Sequence, residues 1–174
     1  MRVEPEDWQM PNLFREMALK AKAAYDEKVA AERRKEEADA DAKAKGIFAE
    51  VEVLTNEVLP LLDDANLALE ETGVGVKIIE EYLDEASPNQ HPGILFKCLG
   101  PKRPSDGWQV QAPGLAFTVE GDQVWAAAAE STTASRYIVR LGSSRVGEAQ
   151  TIVSKAIQHA LDAYYAELSR HQDW

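Results

Sequence analysis

The sequence predicts an α+β protein: an N-terminal helical hairpin, an antiparallel β-meander of about five or six short strands, and a C-terminal helix packed on one sheet face. Three observations predict it. Up to Ala68 the apolar residues recur at helical spacing. From Gly73 onward short apolar runs alternate between glycine- and proline-rich turns. After Leu141 helical spacing returns and holds to Leu168. The expected division is residues 1–72, a leader and coiled-coil-like hairpin, and residues 73–174, the sheet with its last helix.

Residues 1–10 read as a loose leader containing Trp8. From Pro11-Asn12 a helix is expected, striped by Phe14, Met17, Ala18, Ala21, Tyr25 and Val29. The stripe fades in ERRKEEADADAKAK, residues 32–45. Opposite charges one turn apart there, Glu32–Lys35, Arg33–Glu37 and Asp39–Lys43, still favour an exposed helix. Beyond Gly46 the residues Ile47, Val51, Leu54, Val58, Leu61, Ala65 and Ala68 step by four and three, the spacing of a coiled-coil seam. The seam does not extend back through Gly46. That favours a reversal there over a continuous rod, and Pro60 is expected to kink or break the second helix.

VGVKIIEEYL, residues 74–83, fits strand or helix, and its β-branched content favours strand. Past ASPNQHPG come five runs: Ile94–Leu99, Trp108–Gln111, Leu115–Glu120, Gln123–Ala129 and Arg136–Leu141. Their short connections make neighbours antiparallel. A two-residue Gly121-Asp122 turn sets Val119 opposite Val124, Phe117 opposite Ala126 and Leu115 opposite Ala128. Val139 and Leu141 then follow opposite Ala128 and Ala126. This face is apolar but small in the middle, suited to an alanine-rich helix over residues 145–169 carrying Val146, Ala149, Val153, Ala156, Ile157, Ala160, Tyr164 and Leu168. The other face, with Leu95, Leu99, Thr118, Trp125, Ile138 and Arg140, needs cover for its Trp from the hairpin or another protomer.

The net charge of −11 is concentrated, since residues 47–90 hold eleven acidic residues and one lysine. Such a segment repels nucleic acid and suits solubility or a basic protein partner. No apolar run is long enough to span a membrane. MRVEPEDWQMPN lacks the features of a secretory signal, and a cytoplasmic location is expected. Cys98 is the one cysteine, so neither an internal disulfide nor a cysteine-cluster metal site is expected.

Signatures of common catalytic and nucleotide sites are absent, and GVGV at 73–76 lacks the third glycine of a dinucleotide fingerprint. His159 and Asp162 lie about one turn apart on the polar face of the last helix, an ordinary surface pair. The acidic doublets Asp63-Asp64, Glu70-Glu71, Glu80-Glu81 and Asp84-Glu85 lack the loop spacing of a calcium site. No metal or cofactor is expected. The best candidate for chemistry is LGSSR, 141–145. If it opens the last helix, Ser143, Ser144, Arg145 and Arg140 could hold a phosphate or carboxylate, though a serine cap explains the serines equally. PKRP, 101–104, beside Trp108, could hold an anion too.

The expected function is therefore a non-enzymatic interaction protein, a homo-oligomer or an adaptor. Its expected surface comprises Ile47, Val51, Leu54, Val58, Leu61 and Trp125. Small acidic secretion chaperones follow a similar logic at the level of architecture. The alternative is an anion- or small-molecule-binding protein or enzyme with its site at the start of the last helix.

Overall fold

A computed structural model describes residues 10–81, 92–102, 105–130 and 137–171. Helix α1 runs from Met10 to Val53 as one piece of 44 residues. Gly46 lies inside it, so the expected reversal does not occur and a continuous helical track replaces the hairpin. A glycine costs a helix only about 1 kcal/mol relative to alanine. A Cβ at Gly46 would meet nothing within 4 Å, so packing forces no turn there either.

The track continues as a π-helical turn, Leu54–Val58, and helix α2, Leu59–Glu71. Pro60 does not break it. Lacking an N–H, Pro60 cannot donate four residues back to Asn56, and the chain widens just before it: the Leu59 amide donates five residues back, to the Leu54 carbonyl. The Thr55 hydroxyl donates to the Val51 carbonyl at 2.7 Å, which also competes with regular helical bonding. Helix α2 ends at Gly73, whose φ of +81° is the left-handed conformation that closes a helix.

Six strands follow: β1 (Gly75–Glu81), β2 (Gly93–Lys102), β3 (Gln109–Gln111), β4 (Leu115–Glu120), β5 (Gln123–Glu130) and β6 (Tyr137–Arg145), then helix α3 (Ala149–Arg170). The strand reading of 74–83 holds over Gly75–Glu81. Pairing is antiparallel in the order β1-β2-β4-β5-β6, with β3 also on β2. Strand β2 is long enough to serve both neighbours: its start pairs with β4 and its end with β3, with a register shift between Leu99 and Lys102 inside that second pairing. The expected β4–β5 register is found: Val119, Phe117 and Leu115 face Val124, Ala126 and Ala128. Val139 lies opposite Ala128 as expected, but a bulge at Leu141 brings Gly142, not Leu141, opposite Ala126.

Contacts divide the chain into residues 1–45 and 46–174. Leu54, Val58 and Leu62, from the stretch that precedes the sheet in sequence, are fully buried in the core of the second unit. In the first unit, the described side chains of α1 are exposed apart from half-buried Val29 and Ala30. In the second, Ile94, Phe96, Cys98, Leu115, Phe117, Val119, Val124, Ala126 and Ala128 form a buried inner face. Helix α3 packs across it through Ala149, Ile152, Val153, Ala156, Ala160 and Tyr164, while the π-turn packs on β4 and α3, and α2 on β1. Within this unit α3, the π-turn and α2 pack on the same side of the sheet.

Gly100 marks the tightest point. A Cβ there would come within 2.7 Å of the Val110 Cβ and 3.0 Å of the Tyr164 hydroxyl. Gly100→Ala is expected to cost about 1–3 kcal/mol by overpacking, and Ala126→Leu a similar amount. Urea denaturation midpoints check both. An unchanged midpoint for Ala126→Leu would mean that β5 does not meet α3 through its alanines.

Candidate functional site

LGSSR does not open the last helix. Strand β6 continues through Arg145, with Ser143, Ser144 and Arg145 opposite Trp125, Val124 and Gln123. Helix α3 begins four residues later, at Ala149, with Glu148 as its N-cap and no side-chain cap bond. The serines therefore neither cap a helix nor present its first amides to an anion. The extra residues in strand conformation come from β5, which offers pairing partners as far back as Gln123.

Strand alternation also separates the four candidate residues. Ser144 faces inward at 9% exposure, and among the described residues its Oγ has no hydrogen-bond partner. Ser143 is exposed and donates to the Gln123 side-chain oxygen at 3.3 Å. Arg140 is committed elsewhere: it pairs with Glu120 at 3.1 Å and lies 4.3 Å above the Trp125 ring centroid. That stack is a cation–π contact on the outer sheet face. Arg145 is exposed opposite Gln123.

The approach to α3 does hold an anion, but it is the protein's own. The Glu57 carboxylate accepts a 2.7 Å hydrogen bond from the Gly147 amide. The π-turn places Glu57 there while Leu54 and Val58 enter the core. Nearby, the Val146 amide donates to the Asp122 carbonyl at 2.8 Å, and Lys155 donates to the Leu141 carbonyl at 2.8 Å. Sequence reasoning missed Glu57 because its partner lies ninety residues away and only the fold joins them.

The remaining candidates are dispersed. Asp162 accepts from Gln158 at 2.8 Å, so it does not orient the exposed His159. The imidazole with a carboxylate is His171, whose Nε2 lies 3.0 Å from Glu167 and whose ring lies 4.4 Å from that of Trp108. The four-residue spacing of Glu167 and His171 was visible in sequence, whereas the contact with Trp108 was not. Arg103 and Pro104 of PKRP, and the acidic residues at 84–85, lie outside the described residues. Among the described residues no three His, Cys, Asp or Glu side chains gather as a metal ion would require. A hollow beside Tyr25, Val29, Arg33 and Glu37 is bounded, among the described residues, by α1 alone.

The expected interaction surface is partly consumed by the core. Leu54 and Val58 are wholly buried, Leu61 packs against the core, and Ile47, Val51 and Trp125 remain half-buried. Comparisons with protein-family models, curated proteins and solved structures give no match.

Cys98 is buried, and loss of hydration pushes its thiol from 9.0 to about 11. Burial raises Tyr164 as well, reinforced by the neighbouring Tyr165 and Cys98. Both groups are held protonated in the native state, so their contribution to stability is full below the unfolded pKa and is lost as pH rises through the folded one. The denaturation midpoint should fall between pH 9 and about 11, and less steeply in Cys98→Ala. Equal slopes would remove the thiol from the account. Separately, Glu57→Ala should cost about 0.5–1.5 kcal/mol and Glu57→Gln less, since glutamine keeps an acceptor. Chemical denaturation of the two variants side by side checks this.

Proposed function

We propose that this chain is a non-enzymatic interaction protein, a homo-oligomer or an adaptor- or chaperone-like protein, that works through α1 and the outer sheet face. The observation that carries this reading is the exposure of large apolar side chains on α1: Phe14 is 62% exposed, Tyr25 67% and Phe48 72%. Leu13, Met17 and Leu19 are exposed too. Single exposed hydrophobes are ordinary. Phe14, Met17 and Tyr25 fall within about 80° of one another around the helix, so three of these exposed side chains share one face of the kind that marks association.

The outer sheet face supports the same reading. Leu95, Leu99 and Trp125 are half-buried there and Ile79 is exposed, while α3 and α2 cover the opposite side. Asp63, Asp64, Glu70 and Glu71 are exposed at α2, which favours a basic protein as a further partner through residues 47–90 and disfavours nucleic acid. Among the described residues no helix is long and apolar enough to cross a membrane. The alternative, an anion site at Ser143–Arg145, has lost the helix start that motivated it.

Light scattering of the full chain across micromolar concentrations tests the reading. The expected mass is a multiple of 19.2 kDa that falls on dilution. A constant single-chain mass would end the case for self-association.

A further inference from the structure

We propose that two copies of the chain pair through residues 15–44 of α1, antiparallel, with the two-fold axis between Val29 and Ala30. This deepens the homo-oligomer reading above and rests on it. These residues all belong to the first compact unit, so the pairing asks nothing of the second. In a helix that turns about 100° per residue, Lys22, Asp26, Arg33 and Glu37 lie within about 30° of one line along its surface. Val29 and Ala30 straddle that line midway and are the half-buried side chains among the described residues of the unit. They border a hollow together with Asp26 and Arg33.

Charge selects the direction and the register. The axis sets Lys22 against Glu37 and Asp26 against Arg33, each twice. Signs alternate along each helix, so like charges fall on the diagonals, about a turn apart along the axis. Parallel, in-register pairing would oppose all four residues to their own copies, and like charges in register disfavour a pairing. Sliding the antiparallel partner by four residues sets Lys22 against Arg33 or, the other way, Asp26 against Glu37. Sliding it by seven sets Asp26 or Arg33 against its own copy. Each shift replaces an attraction by a repulsion.

The apolar residues fit the same axis. Val29 and Ala30 meet their own copies at the centre, so the hollow closes on a small apolar contact. One layer beyond the charges, Leu19, 59% exposed in the single chain, meets Ala40. The ends are mixed: Arg15 meets Ala44, while the partner's Asp41 and the partner's Lys43 lie at the margin near Arg15 and Glu16. Phe14 and Met17 lie more than about 100° from the line, so their face stays open to a partner protein. The paired stretch is about 45 Å long at 1.5 Å per residue. The charged middle of α1, which completes no apolar stripe within one chain, becomes the part that fixes direction and register.

The test uses the full chain carrying one added cysteine; unmodified protein, with Cys98 buried, is the control. Under mild oxidation Ala30→Cys should form a disulfide-linked dimer by itself. Leu19→Cys should not, whereas an equimolar mixture of Leu19→Cys and Ala40→Cys should. Linking of Leu19→Cys to itself, with no gain from the mixture, would overturn the antiparallel register. The unmodified dimer should also dissociate as salt rises, because its register rests on charge. A dimer by light scattering that salt strengthens, or in which none of these variants link, would place the interface elsewhere, overturning this inference while leaving self-association intact. A monomer throughout would remove both.

Discussion

The sheet's inner face carries α3 and the π-turn side by side only because its middle is built from small side chains. Ala126 and Ala128 occupy β5, and Gly142 comes opposite Ala126 at the bulge. Helix α3 answers with Ala149, Ala156 and Ala160, so backbone approaches backbone. The bulky Phe96 and Phe117, on β2 and β4, fill the space beside this close contact. Gly100 extends the same constraint to the far end of α3, where Val110 and Tyr164 leave no room for a Cβ. Packing at this density tolerates little change in volume in either direction.

One consequence is an unequal sheet. With α3, the π-turn and α2 all on the inner side, the outer face draws on what its own strands carry. Arg140 lies over Trp125 and pairs with Glu120 across β5, which shields part of the indole while keeping the guanidinium near water. A second consequence concerns the π-turn. Its extra width lets Leu54, Val58 and Leu62 reach the core while Glu57 turns to the Gly147 amide. The turn before α3 is thereby tied to a segment ninety residues earlier, at the place where a free helix start had been expected to bind an outside anion.

Much of the fold was legible in the sequence, for local reasons. Strand β4 and its register with β5 follow from a two-residue turn, whose length fixes which residues face each other. The α3 stripe repeats at 3.6 residues and needs no distant partner to be seen. Failures came where a local signal has two physical readings. The register change at Gly46 suggested a reversal, but charged, alanine-rich sequence carries a helix through one glycine without a continuous apolar stripe. Pro60 suggested a break, but a widened turn absorbs a missing N–H. LGSSR resembled a helix start because glycine and serine favour one, yet cross-strand pairing with Gln123, Val124 and Trp125 outweighed that preference.

The sequence by itself determined the class of the fold, the strand alternation and the uneven charge, because turn chemistry, periodicity and composition act between near neighbours. Which surfaces were left over was decided only by tertiary structure. Ile47 to Leu61 read as one uniform seam, yet Leu54 and Val58 are buried in the core while Ile47 and Val51 stay half-covered. Nothing in the spacing distinguishes them. The difference arises where the π-turn meets the sheet, since burial depends on which distant element arrives at a face, and periodicity reports only that a face exists.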